Sequence, residues 1–110
     1  MSDTTPEVSV DVLARELADG ATVVDVREQD EYVAGHVPGA TLIPMGHLPS
    51  RLEELDKNRP VYLVCASGNR SAAMTDFLRA EGYDAHSVAG GTSGWARSDR
   101  PVETGAPRPS

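Results

Sequence analysis

The stretch VYLVCASGNRSAAM, residues 61–74, carries the only cysteine of the chain, Cys65, at the end of an apolar run. Three small residues follow, Ala66, Ser67 and Gly68, and then Asn69, Arg70 and Ser71 lead into a helix-like pattern. Small residues let a loop curl tightly, and Gly68 is free to take a positive φ. A curled loop turns its backbone N–H groups inward, and a helix starting there adds the positive end of its dipole. Both effects lower a thiol's pKa and favour the thiolate. Arg70 adds a fixed charge and a planar fork of donors suited to an oxyanion. The expected site is therefore a nucleophilic Cys65 thiolate in an anion-binding cradle of residues 66–71. Its substrate would carry an anionic oxygen group and an electrophilic atom. Sulfur bonded to a sulfonate or to a thiol fits, and a phosphate ester is a second fit. Ser67 and Asn69 either hydrogen-bond substrate oxygens or only shape the loop. Ser71 either caps the helix or donates to the sulfur. A lone cysteine after an apolar strand is, by itself, more often a small buried hydrophobe. The glycine loop, the arginine and the helix start reverse that weighting.

The remaining polar candidates read as structural. Asp25 and Arg27 sit at the end of an apolar segment near the expected active face and suit a structural ion pair or loop anchor. His36, in GHVPGA, reads as a hydrogen-bonded turn residue rather than a general base, because attack on sulfur by a thiolate needs no base. His47 and His86 lack paired ligand spacing, so no metal site is expected. Trp95 reads as a core or lid-packing residue after the Gly90–Gly91 turn. The acidic run EQDEY reads as a solvated helix face.

These residues need elements to place them. Ser9 is a plausible N-cap for a helix with Val10, Leu13 and Leu17 on one face, stopped at Gly20. ATVVDV (21–26) reads as a buried strand, EQDEYVAGH (28–36) as a short helix ended by Gly35, and ATLIP (40–44) as a brief strand. LPSRLEELDK (48–57) reads as a helix with Leu48, Leu52 and Leu55 inward. PVYLVC (60–65) is the most apolar strand. RSAAMTDFLRAEG (70–82) is a strong helix that turns Ala73 and Phe77 inward, with Met74 and Leu78 beside them. DAHSVAGG (84–91) supplies a last strand and a turn, and TSGWAR (92–97) a final short helix. Alternating strands and helices predict an α/β fold, a parallel sheet covered on both faces by right-handed crossovers. Ligands of such sheets bind at the carboxyl ends of the strands, where Cys65 stands on the strand expected to be central.

The chain has 110 residues, 25% of them charged and 39% apolar, which suits one globular domain able to bury a core without disulfides. The formal net charge of −7 argues against broad binding to nucleic acid or to an anionic membrane. No apolar run is long enough to span a bilayer, and MSDTTPEVSV lacks the basic and apolar regions of a signal peptide. A reducing, cytoplasmic setting is the default expectation. Residues 1–6 read as loose, 7–101 as the domain, and 102–110 as a polar, proline-rich, disordered tail.

Three segments together resemble the rhodanese, or thiosulfate sulfurtransferase-like, domain. VVDVREQDEYVAGHVPGATLIP (23–44) is similar to that family's N-terminal signature. VYLVCASGNRSAAM is similar to its active-site strand, loop and helix, and VAGGTSGW (88–95) to its C-terminal signature. The resemblance runs from about Val8 to Pro101. It implies a five-stranded parallel sheet with helices on both faces, and sulfur transfer through a persulfide on Cys65, from thiosulfate or a related donor to cyanide or a thiol. It also implies binding of the sulfur by the loop residues Ala66, Ser67, Gly68, Asn69, Arg70 and Ser71, and support from Asp25, Arg27 and His36. No metal or organic cofactor is implied. Its partners would be small-molecule sulfur donors and acceptors, or a thiol protein as acceptor. A persulfide carrier and a non-catalytic binding module are the alternatives. Tyrosine-type and dual-specificity phosphatases place five residues between cysteine and arginine, whereas Cys65 and Arg70 have four between them. The shorter ring favours a sulfur atom over a phosphate.

Overall fold

The computed structural model describes residues 5–106. In chain order the elements are β1 (Glu7–Val8), α1 (Val10–Ala18), β2 (Thr22–Asp25), α2 (Gln29–Ala34), β3 (Thr41–Leu42), two 3-10 turns (Leu48–Ser50 and Leu52–Glu54), β4 (Val61–Val64), α3 (Asn69–Ala80), β5 (Ala85–Val88) and α4 (Gly91–Arg97). The five strands form one parallel sheet in the order β1-β5-β4-β2-β3. The most apolar strand, β4, is thus central, with Asp25 of β2 in register with Val64. Strand residues alternate between two faces. Val24, Val61, Leu63 and Cys65 join Leu78 and Tyr83 in the core beneath α3, while Val23, Tyr62, Val64 and Val88 join Leu13, Tyr32 and Trp95 in the core on the opposite face. Cys65 therefore starts from the α3 side of the sheet.

The ends of α1 follow its sequence signals: Ser9 Oγ accepts the N–H of Val12 at 3.2 Å, and Gly20 takes φ +84° after the helix. Elsewhere the chain departs from expectation. The segment 48–57 forms two 3-10 turns in place of one helix. Pro49 opens the first turn, and Ser50 Oγ donates to His47 O at 2.9 Å, a local bond that competes with helix continuation. The leucines still face inward: Leu48 is buried, and Leu52 and Leu55 pack against the α3-side core. On α3, Met74, Phe77 and Leu78 reach the core, but Ala73 is exposed. The fully buried positions are Ser71, Thr75 and Leu78, and two of these are polar, so an apolar count passes over them.

Both ends of the described segment, 5–106, are fastened. The short strand β1 was not legible as a strand. Pro6 O accepts from Ser87 N at 2.9 Å, and Thr5 Oγ1 donates to the Asp76 carboxylate at 3.0 Å; the rest of the segment expected to be loose, residues 1–4, lies outside the described residues. The segment expected as a tail is held as far as it is described. His36 and Glu103 exchange backbone hydrogen bonds of 2.8 and 2.9 Å, and Gly105 N donates to Val33 O at 2.9 Å. Pro101 O accepts the Trp95 indole N–H at 2.7 Å. Residues 107–110 lie outside the described residues. Among the described residues, no helix is long and apolar enough to cross a membrane.

Candidate active site

The chain leaves β4 at Cys65, curls through Ala66, Ser67 and Gly68, and enters α3 at Asn69. Gly68 takes φ +116°, a conformation that L side chains rarely adopt, and this turn folds its N–H back onto Cys65 Sγ at 3.0 Å. Cys65 Sγ lies 3.5 Å from the hydroxyl of Ser71, in the first turn of α3. Burial, the largest single influence, pushes the Cys65 thiol up. The Ser71 hydroxyl and the backbone N–H groups of Ser71, Gly68 and Ser67 outweigh it together, and the thiol ends below its ordinary value. Cys65 itself is only 1% exposed. Ser67 and Asn69 stand exposed at the rim, and Ala66 and Arg70 are half-buried.

The loop is braced from behind by the start of α4. Thr92 N donates to Cys65 O at 2.8 Å and Ser93 N to Ala66 O at 3.0 Å. The backbones approach so closely that a Cβ on Gly91 would come within 2.7 Å of Ala66 O, and closer still to Cys65 O. This accounts for the paired glycines of VAGGTSGW in terms of space. Gly91 lets the two loops meet, and the meeting satisfies the Cys65 and Ala66 carbonyls from the α4 side.

Arg70 is not an open fork. Its guanidinium makes two hydrogen bonds to the Glu31 carboxylate, at 2.7 and 2.8 Å. The Arg70 bond, first of all, holds the Glu31 carboxyl down to about 2, against a smaller opposing effect of burial. Glu31 also accepts the N–H of Glu28 and so closes the capping box of α2. The acidic run read as a solvated face thus sends one carboxylate to the site. Its Glu28–Glu31 spacing was the available signal.

Asp25 and Arg27 form a buried pair, with Arg27 Nη2 2.7 Å from Asp25 Oδ2 and 2.7 Å from Gly35 O, so the pair ties the end of β2 to the end of α2. His36 is 5% exposed; its Nδ1–H donates to Tyr32 O at 2.7 Å, and its ring stacks on Tyr32 with centroids 3.6 Å apart. Trp95 is buried in the core opposite α3. His86 pairs with Asp84 at 2.9 Å, away from the loop. A hollow of about 860 Å³ opens beside β3 between Tyr32, His36, His47 and Arg51, and its lining does not include Cys65. Burial in a narrow ring of amides, rather than a roomy cleft, defines the chemistry at Cys65. One contributor was not read from the sequence: Ser87 of β5, fully buried, has its Oγ 2.8 Å from Ser71 Oγ. Its signal was a lone hydroxyl at an inward position of AHSV, two residues from the inward Ala85.

Known proteins share this architecture. The chain is 35% identical over 79 residues to a Bacillus subtilis protein named "Putative sulfurtransferase YtwF", covering 72% of this chain and 77% of that one. It is 32% identical over 80 residues to "Putative sulfur carrier protein YrkF" of the same organism, covering 71% of this chain but only 43% of that protein. The crystal structure of a thiosulfate sulfurtransferase from Pseudomonas aeruginosa superposes with a TM-score of 0.87 at 29% identity, covering 94% of this chain and 21% of that one. A family model described as the Rhodanese-like domain matches residues 9–98, and the chain belongs to that family.

Proposed function

We propose that the protein is a sulfurtransferase that carries sulfane sulfur as a persulfide on Cys65. The observation that carries this reading is the Gly68 N–H aimed at Cys65 Sγ at 3.0 Å, within a loop whose amides and Ser71 hydroxyl favour the thiolate. In the first step the Cys65 thiolate attacks the outer sulfur of thiosulfate. A new S–S bond forms at Sγ, the S–S bond of thiosulfate breaks, and its electron pair leaves on sulfite. The negative charge now rests on the outer persulfide sulfur, where the same N–H donors act as an oxyanion hole does for oxygen. In the second step cyanide, or an acceptor thiolate, attacks that sulfur, and the Cys65 thiolate is released as leaving group. No proton need move in either step with cyanide, which agrees with a His36 held in a structural role by Tyr32. The near-complete burial of Cys65 suits a donor whose transferable sulfur is a terminal atom, able to pass the rim at Ser67 and Asn69. The reaction suits a reducing, cytoplasmic setting.

Intact-mass measurement tests this directly. Thiosulfate treatment should add one sulfur atom to the wild-type protein, and cyanide should remove it as thiocyanate. Cys65→Ser should gain nothing. Equal, negligible thiocyanate formation by wild type and Cys65→Ser would remove the reading. The similarity to a protein named as a sulfur carrier favours a second reading, in which the same persulfide is delivered to a protein thiol. Slow turnover with cyanide combined with rapid delivery to a purified thiol protein would select it.

A further inference from the structure

Ser71 and Ser87 are both fully buried, and their hydroxyl oxygens lie 2.8 Å apart. Ser71 Oγ also lies 3.2 Å from Gly68 O and 3.5 Å from Cys65 Sγ. Ser87 sits on β5, the neighbour of β4, and among the described residues its hydroxyl has one hydrogen-bonding partner, Ser71 Oγ. A hydroxyl carries a single proton, and a buried donor without an acceptor is costly. Ser87 therefore donates and Ser71 accepts, and the Ser71 proton must point elsewhere. While Cys65 is a thiol, Sγ–H donates to Ser71 Oγ and Ser71 donates to Gly68 O. When Cys65 ionises, the Ser71 proton turns to Sγ. Gly68 O keeps the N–H of Ala72 at 3.0 Å, so the turn strands no group. The bond received from Ser87 polarises the Ser71 hydroxyl and strengthens its own donation.

We propose that Ser87 is a positioning residue that aims the Ser71 hydroxyl at Cys65 Sγ and thereby sets how readily Cys65 ionises and reacts. This rests on the reading of Cys65 as the nucleophile. The charged groups around the loop are otherwise paired: Arg70 of α3 with Glu31 of α2, and Arg27 with Asp25 at the end of β2. On β5, His86 pairs with Asp84 and stacks on Tyr62, and the start of α4 presents no titratable side chain. Loss of the Ser87 hydroxyl touches none of these.

The test is the pH dependence of Cys65 alkylation by iodoacetamide in a two-residue cycle. Ser87→Ala should raise the midpoint by about half a unit to one unit, the scale of one hydrogen bond. Ser87→Thr, which keeps the hydroxyl, should hold the midpoint near wild type. In a Ser71→Ala background, Ser87→Ala should add no further shift, because its route to the sulfur is gone. An unchanged midpoint in Ser87→Ala, or the same shift with and without Ser71, would overturn the proposal. Should Ser87→Ala not fold, a midpoint in Ser87→Thr raised as far as in Ser71→Ala overturns it equally, and one near wild type supports it. Alkylation needs no sulfur donor, so failure of sulfur transfer with this pattern intact would count against the proposed function alone.

Discussion

At Cys65 two influences oppose each other: burial raises the thiol, and the Ser71 hydroxyl with the loop amides lowers it by more. The sign has two consequences. A depressed thiol ionises earlier as pH rises, so the alkylation midpoint should fall below that of a free cysteine measured alongside it. The same thiolate contributes stability that is full above the unfolded thiol's pKa and is lost as pH falls through the lower folded value. A midpoint at or above that of free cysteine would contradict both. Arg70 shows a different balance. On the proposed reading a substrate anion would compete with Glu31 for its fork, so Glu31→Gln should lower KM for thiosulfate several-fold. The half-exposed ion pair is worth little to stability, about 0.5 kcal/mol, so the melting temperature should barely move. A raised KM would show that Glu31 serves to hold Arg70 in its working position.

Among the elements, the cysteine loop depends on α4 as much as on α3. The N–H groups of Thr92 and Ser93 hold the carbonyls of Cys65 and Ala66, and Gly91 permits the approach at φ +57°. Gly91→Ala should strain the backbone and push the loop off its amide geometry. The expected cost is at least about 2 kcal/mol, or about 8 °C or more in melting temperature, with activity lost beyond that. Thermal unfolding and thiocyanate formation measure the two effects separately. The strand and helix segments were largely legible because each carries its own period and caps, as in the Ser9 cap of α1. The 3-10 turns at 48–54 were not, because leucines at i, i+4 and i+7 mark an α-helical face, while Pro49 and the Ser50 side-chain bond to His47 O break the segment locally. On α3 the inward Met74, Phe77 and Leu78 were legible, but Ser71 and Thr75 were not, because they face inward for the site and the sheet and not for apolar burial.

For the molecule as a whole, a net charge of −7 would oppose the approach of thiosulfate, the donor of the proposed reaction. Added salt screens that repulsion, so kcat/KM for thiosulfate should rise between low and physiological ionic strength. A fall would mean that local attraction at Arg70 outweighs the global field. The C-terminal strap is also structural. Removing residues 101–110 deletes three backbone bonds, to His36 (two) and Val33, and the acceptor of Trp95 Nε1. After the entropy of ordering the strap is offset, the loss should be about 1–3 kcal/mol, read as a drop of about 5–15 °C in melting temperature. An unchanged melting temperature would show that the strap is ornamental to the fold.

The residue order alone determined the alternation of strands and helices, the central place of the Val61–Val64 strand and a small-residue cradle at Cys65, because these depend on local periodicity and backbone freedom. Only the tertiary structure decided that Glu31 occupies the Arg70 fork, that Ser87 stands behind Ser71, and that Glu103 and Gly105 bond back to His36 and Val33 at the end of α2. Each of those contacts joins segments distant in sequence, and their meeting is set by the order β1-β5-β4-β2-β3, which no local pattern encodes.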